Sequence, residues 1–362
     1  MQQLPEANDS IKALQPYRAG TPIAEIARTH GMPESDISKL ASNENPRGPG
    51  KSALDAVAQG TSSLRLYPDT YDFVHTIAAH HNVSPEQVVV GNGSNDILDL
   101  IARTYLGPDD ETIVYEHSFL IYKLVSTAAG ATIIETKAKD FGYDLRALQD
   151  AISDKTRVIW IDNPNNPTGT FIHHDKLTQF LSSVPPRVLV VLDEAYWDYL
   201  PDAQRIDSVR WIDEFPNLCI VRTFSKIHGL AALRIGYLIA HPEVAETLNR
   251  LRQPFNANSL GLAAATASIR DTDHIADERD ANQAAIQQLT KGLDVLNLEY
   301  IPSHTNFVTV KFKDSQSVCE ALLQHGLIVR PIANYGLGDY LRITAGAEEE
   351  NRRLLDALAD AI

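Results

Sequence analysis

Cysteine is nearly absent from this chain: Cys219 and Cys319 are the only two in 362 residues. Two isolated thiols give neither a disulfide framework nor the ligand spacing of a zinc site. Cys219 lies inside an apolar run and is expected to be a small buried hydrophobe. Long hydrophobic stretches are missing too. No segment approaches the ~18 apolar residues of a membrane-spanning helix. The opening Met1–Glu6 lacks the basic-then-apolar order of a signal peptide. Positive charge is scarce, since 32 Lys and Arg stand against 47 Asp and Glu and leave a net charge of −15. That balance argues against general binding of nucleic acid or anionic membranes. The expectation is a soluble cytoplasmic protein without a metal site, and no internal repeat or low-complexity tract complicates it.

Hydrophobic residues make up 44% of the chain, ordinary for a globular protein. The length exceeds the ~250–300 residues at which single cores stop growing, so two domains around a shared cleft are expected. Across the first two thirds, strand-like runs alternate with helical patterns: Val88–Val90, Thr112–Tyr115, Ala131–Ile134, Val158–Ile161, Val188–Leu192 and Leu218–Val221. Such alternation predicts an α/β fold with a doubly wound, mostly parallel sheet. Ile235–Ala240 follows its predecessor too closely for a helical crossover, so that strand should run antiparallel. Beyond a helical region at 243–297 come Phe307–Phe312, a helix near 315–325, Ile328–Arg330 and Tyr340–Ile343, which suit a second, small α+β domain. The expected division is an amino-terminal arm at 1–45 joining the small domain, a large domain at 46–255, and the rest of the small domain at 256–362, with an interdomain helix near its start.

The most informative stretch is Thr223–Tyr237. It follows the apolar run Leu218–Val221 and sets Lys226 beside the hydroxyls of Thr223 and Ser225, with Arg234 eight residues further on. Ligands bind at the carboxyl ends of strands in open α/β sheets. A lysine placed there can bond an aldehyde cofactor, while hydroxyls and a guanidinium take up a phosphate. A strand running into a solvated basic turn is the plain alternative. Upstream, Val188–Leu192 ends in Asp193, with Tyr196 three residues later. A buried aspartate needs a cationic partner, and a protonated pyridine nitrogen would be one. The turn Asn163–Gly169 follows another apolar strand, and Asn166 offers an amide to a phenolic oxygen. Gly91–Ile97 links a strand to a helix. Glycines there would let backbone N–H groups at Ser94 and Asn95 approach a phosphate, although a simple helix cap explains the same residues.

With these blocks in place, the chain resembles the fold-type I pyridoxal-phosphate-dependent aminotransferases, and among them the histidinol-phosphate aminotransferase branch. The likeness runs from Tyr17 to Arg342 through Leu40–Pro46, Tyr67–Asp69, Gly91–Ser94, Asn163–Gly169, Asp193–Tyr196, the lysine block and Leu341–Thr344. It implies pyridoxal 5′-phosphate as cofactor and an amino donor and a 2-oxo acid as substrates. Lys226 would hold the cofactor covalently and then move the proton, Asp193 would pair with the ring nitrogen, and Tyr196 and Asn166 would bond the ring oxygen. Phe119 would stack on the ring. Ser94, Asn95, Thr223, Ser225 and Arg234 would hold the phosphate. Tyr67 would reach the phosphate of a neighbouring subunit, making a homodimer with shared active sites. On the substrate side the resemblance implies Tyr17, Asn166, Arg330 and Arg342, with Arg342 gripping a carboxylate and Arg330 a distal phosphate or a different distal group.

Three departures from the family pattern stand out: Asn95 for its usual aspartate, His117 for a proline, and His228 for an aromatic residue. His228 could tune the site or simply pack. The pairs His80–His81 and His173–His174 read as surface histidines rather than ligands. Three other functions fit the same blocks: an aromatic amino-acid aminotransferase, a threonine-phosphate decarboxylase, and a non-catalytic cofactor-binding regulator. The intact lysine, aspartate and arginine, with no appended DNA-binding segment, weigh against the last.

Overall fold

The apolar runs pair into one sheet of seven strands in the computed structural model, which describes residues 5–12, 14, 20 and 22–362. The strands are β1 (Val88–Gly91), β2 (Glu111–Tyr115), β3 (Thr132–Thr136), β4 (Thr156–Asp162), β5 (Leu189–Asp193), β6 (Leu218–Thr223) and β7 (Gly236–Ile239), in the spatial order β1-β7-β6-β5-β4-β2-β3. Pairings from β6 through β3 are parallel, and β7 runs antiparallel to both β6 and β1. Residues 224–235 between β6 and β7 hold the 3-10 turn Ala231–Leu233 and no crossover helix, so β7 returns antiparallel as expected.

Both faces of this sheet are covered, which explains why its strands are apolar without alternation. On one face Val190, Leu192, Ile159, Ile161 and Ile220 pack with Phe73, Ile77 and Leu262. On the other, Leu189, Val191, Trp160 and Val221 pack with Ile97, Leu98, Ile101 and Tyr122. Cys219 is completely buried there, as its neighbours implied, and burial pushes its thiol pKa up.

A second sheet contains β8 (Tyr300–Ile301), β9 (Phe307–Lys311), β10 (Arg330–Ile332) and β11 (Leu337–Thr344), ordered β8-β9-β11-β10 and antiparallel throughout. Its core is closed by the helices Thr272–Val295, Ser315–Gln324 and Glu348–Ala361. The single strand expected at Ile328–Arg330 is divided. Leu327–Ile328 pairs in parallel with Ser38–Lys39 near the amino terminus, and Arg330 begins β10. The sequence run is continuous, but its two halves meet different partners.

One histidine departs from expectation. His81 is 9% exposed, and its Nε2 lies 2.9 Å from the Tyr237 hydroxyl. It ends the helix Tyr71–His81 on the face that also buries Phe73 and Ile77. Burial pushes its pKa down to about 2, so it stays neutral. His80 and His173 are exposed, as expected.

Candidate active site

The last residues of three neighbouring parallel strands, Asp162, Asp193 and Thr223, open into one cavity of about 210 Å³. Twelve of the fourteen residues singled out from sequence line it: Lys226, Asp193, Tyr196, Asn166, Ser94, Asn95, Phe119, Thr223, Ser225, Arg234, Arg330 and Arg342. Tyr67 does not; it is 79% exposed and stacks on Phe255 at 4.5 Å. Tyr17 lies outside the described residues.

Lys226 follows β6 by three residues, and its Nζ donates to the Ser42 carbonyl at 3.3 Å. The amine also stands 5.6 Å from the centre of the Tyr196 ring. Burial pushes the pKa of Lys226 down to about 8, and the Arg342 guanidinium adds to the shift. A lysine so tuned is partly unprotonated near neutral pH, the state a nucleophile or base needs.

Two adjacent carboxylates meet opposite fates. Glu194 is 4% exposed and takes both prongs of the Arg222 guanidinium, at 2.9 and 2.8 Å, with the Ser208 hydroxyl donating at 2.6 Å. Asp193 is 3% exposed and accepts from the Tyr122 hydroxyl at 3.0 Å and the Ala195 N–H at 3.1 Å. No cation of the described residues forms an ion pair with it. Burial, reinforced by the Asp162 carboxylate one strand away, pushes Asp193 up to about 7. A cationic ligand would supply the missing partner and restore the charged form.

At the other end is an anion cradle. The helix Ser94–Tyr105 starts without a side-chain cap, and its first two residues, Ser94 and Asn95, line the cavity. Gly93 has φ +81, and a Cβ on it would stand 2.4 Å from Arg234 Nη2. Arg234 itself sits at φ +53 and donates to Ser225 Oγ at 3.1 Å. Only glycine lets the guanidinium and the helix start come this close. Asp96 is turned away, accepting from the Asn92 N–H and the Asn256 amide at 2.8 Å each. Its charge therefore does not face the cradle.

The small sheet supplies the facing wall. Arg342 donates to Asn166 Oδ1 at 2.6 Å and to the Ala41 carbonyl at 2.7 Å, and its Nε is buried without a hydrogen-bond partner among the described residues. Arg330 lies opposite Arg342 in the strand register. Phe119 precedes the helix Leu120–Ala128 and meets Tyr122 edge-on at 5.7 Å.

Sequence reasoning gave no role to several residues of this site. Tyr122 and Asp162 are two, and Asn43 is another: its Nδ2 donates to the Tyr196 hydroxyl at 2.8 Å. Asn45 steadies the lysine loop by donating to the Ile227 carbonyl at 2.8 Å and to Glu278 at 3.0 Å. The block Leu40–Pro46 was conspicuous, but its contacts span most of the chain. Two of the family departures have local explanations. His228 does not line the cavity; it packs on Phe224 at 4.5 Å, with Nδ1 2.8 Å from Ser268 Oγ. His117 is buried with Nδ1 2.7 Å from the Tyr335 carbonyl, in contact with a loop that lines the cavity.

An amine held partly neutral can trade places with another amine and carry a proton, so this cavity suits chemistry on amino groups. The family described as "Aminotransferase class I and II" matches residues 35–358, and the chain belongs to it. A histidinol-phosphate aminotransferase of Dechloromonas aromatica (strain RCB) is 48% identical over 357 residues, covering 99% of each chain. Another, from Thiobacillus denitrificans, is 47% identical, covering 97% of this chain and 92% of its own. Among solved structures, the histidinol-phosphate aminotransferase of Sinorhizobium meliloti in complex with pyridoxal-5′-phosphate superposes with a TM-score of 0.91 at 26% identity, covering 99% of this chain and 98% of its own. An aspartate aminotransferase variant of Thermus thermophilus, 21% identical with a TM-score of 0.87, covers 99% of this chain and 100% of its own and shares the fold.

Proposed function

We propose that this chain moves the amino group of histidinol phosphate to 2-oxoglutarate, giving imidazole acetol phosphate and glutamate, with pyridoxal 5′-phosphate as cofactor. The observation that carries the reading is that one cavity joins Lys226, the unpaired Asp193 and an anion cradle to two arginines on the opposite wall. Relatives of that name at 44–48% identity over nearly the whole chain support the same choice.

The residues fit the cofactor. The cradle of Gly93, Ser94, Asn95, Thr223, Ser225 and Arg234 suits its phosphate, and Asp193 suits its ring nitrogen. When bound, the cofactor supplies an aldehyde that exchanges amines and a ring that takes up electron density. Lys226 Nζ, partly neutral near pH 8, would be the amine that holds the cofactor through its aldehyde and gives way to a substrate amine. Once free, the same Nζ would serve as the base for the proton on the amino-bearing carbon of the substrate and as the acid that returns it. Asp193 keeps the ring nitrogen protonated, and Tyr196 and Asn166 bond the ring oxygen. Phe119 packs on the ring and fixes its plane. Arg330 takes the distal phosphate, and Arg342 takes the carboxylate of glutamate bidentately, which a lysine would do less well.

Tyr67 supports a homodimer with shared sites. It does not line the cavity of its own chain and sits exposed beside Phe255, with Leu64, Leu66 and Tyr71 also exposed nearby in sequence. A second copy of the chain would cover these side chains and bring Tyr67 to its phosphate. The two sheets support a large domain at 46–255 and a small one at 256–362 joined by the arm at 1–45. The described residues contain no helix long and apolar enough to cross a membrane, consistent with a cytoplasmic place of work.

The test is a half-reaction panel. Cofactor-loaded protein is mixed with histidinol phosphate, phenylalanine, tyrosine and threonine phosphate, and ketone is scored against carbon dioxide. Fast amination of the cofactor and ketone formation with histidinol phosphate are expected. Conversion with phenylalanine but not histidinol phosphate would replace the reading with an aromatic aminotransferase, and carbon dioxide from threonine phosphate would replace it with a decarboxylase.

A further inference from the structure

The hydroxyl of Tyr196 has a single proton, and the direction of that proton is fixed from behind by Asn43. The asparagine is 1% exposed and its backbone is held at φ +56. Its N–H donates to Thr344 Oγ1 at 3.0 Å, which leaves the threonine proton free to donate to Asn43 Oδ1 at 3.1 Å. Its own carbonyl accepts from Asn306 Nδ2 at 3.0 Å. With Oδ1 engaged by Thr344, the amide nitrogen faces Tyr196 and donates to its oxygen at 2.8 Å.

Turning the amide over would break this scheme. The Thr344 hydroxyl would then receive two donors and have no acceptor for its own proton, although the residue is 2% exposed. A buried donor without a partner costs about 1–3 kcal/mol, so the observed orientation is strongly preferred. Because Tyr196 accepts from Asn43, its proton must point elsewhere. The open side is the cavity, which Asn43 and Tyr196 both line. Charged and titratable groups that act on the tyrosine are Lys226, Arg342, Asp193 and Tyr335.

We propose that Asn43 is a positioning residue, which by donating to the Tyr196 oxygen commits the Tyr196 proton to the ring oxygen of bound pyridoxal phosphate. The inference rests on the cofactor assignment made above. A donor on that ring oxygen draws off the negative charge that retains the proton of the lysine–cofactor linkage. The linkage therefore loses its proton at a lower pH than it would without Asn43.

The test is a pH titration of the visible absorbance of the cofactor-loaded protein. Asn43→Gly removes the side chain and Asn43→Asp turns the donor into an acceptor; glycine and aspartate both tolerate the positive φ, so the backbone is not the variable. The titration midpoint is expected to rise in both, by about one pH unit in Asn43→Asp, where the tyrosine proton is drawn back toward the carboxylate. In a Tyr196→Phe background, Asn43→Gly should cause no further rise. A purely structural asparagine would change stability and leave the midpoint alone. An intact visible band whose midpoint stays put in Asn43→Gly, or moves as far without the tyrosine hydroxyl as with it, overturns the inference. If the unmodified chain forms no visible band with pyridoxal phosphate, the cofactor assignment falls and takes the inference with it.

Discussion

Arg330 and Arg342 stand directly opposite each other in the register of β10 and β11. Like charges so placed repel across a strand pair, and here both side chains line the cavity that holds Lys226. The arrangement is suited to an anion with more than one charge. Replacing Arg330 with alanine should cost about 2–5 kcal/mol in transition-state binding of histidinol phosphate. That is a fall of roughly 30-fold or more in kcat/KM. Phenylalanine, with no distal anion, should lose much less, while Arg342→Ala should penalise glutamate and phenylalanine as well. The ratio of losses decides the matter: equal losses for both substrates in Arg330→Ala would remove its role as a phosphate reader.

Lys226→Ala should abolish the borohydride-reducible link between protein and cofactor and stop turnover. Among the described residues, Lys226 is the only lysine that lines the cavity. Mass spectrometry after reduction checks this, and a covalent adduct surviving in the variant would contradict the assignment.

The position of Tyr67, exposed and away from its own cavity, predicts complementation between subunits. Tyr67→Phe chains mixed with Lys226→Ala chains should regain part of the lost activity, because a mixed dimer gathers both defects into one site and leaves the other intact. No recovery, with subunit exchange demonstrated by native mass spectrometry, would place Tyr67 in its own chain or outside catalysis.

Asp193 should cost the cofactor-free protein stability. Its folded pKa is raised to about 7 from an ordinary 3.8. The sign follows from proton linkage. Below the unfolded pKa both states are protonated and no cost arises, whereas from there up to about 7 the unfolded state ionises more readily and stability is lost. Asp193→Asn should therefore stabilise the cofactor-free fold at pH 8 by on the order of 1–3 kcal/mol in urea titrations, with the gain shrinking toward pH 4. The same change should weaken cofactor binding. A pH-independent difference would contradict the burial account.

Gly93→Ala should loosen the phosphate cradle. The added methyl meets Arg234 Nη2 at 2.4 Å and sits on a backbone at φ +81. The dissociation constant for pyridoxal phosphate, measured by fluorescence, is expected to rise about tenfold or more, since displacing one charge-assisted bond costs about 1.5–3 kcal/mol. Unchanged affinity would show that Arg234 does not face the phosphate.

The sheet was legible because its strands are buried on both faces and end where polar residues begin, as Val188–Asp193 and Leu218–Thr223 illustrate. The antiparallel β7 was legible because no helical pattern for a crossover separates it from β6. Local runs also marked most cavity residues, since strand ends gather at one edge of a parallel sheet. What stayed hidden was long-range. Tyr122 reaches Asp193 across 71 positions and Asn43 reaches Tyr196 across 153, and no local pattern encodes such pairs. His81 was different, because its signal was present and overlooked. Phe73, Ile77 and His81 recur at helical spacing, so the second histidine of the pair continues a buried stripe while the first faces outward.

The cavity draws on two separate sheets. Asp193 ends a strand of the seven-stranded sheet and Lys226 and Arg234 lie in the connection between two others, whereas Arg330 and Arg342 belong to the four-stranded one. Reaction and recognition are thus held by different backbones and can drift at different rates. A lineage could retarget the enzyme by rewriting β10, a three-residue strand at the edge of its sheet, and leave the proton-transfer machinery untouched. Kinship in overall sequence would then report the reaction more faithfully than the identity of the amino donor, and the residues at positions 330 and 342 would carry the distinction.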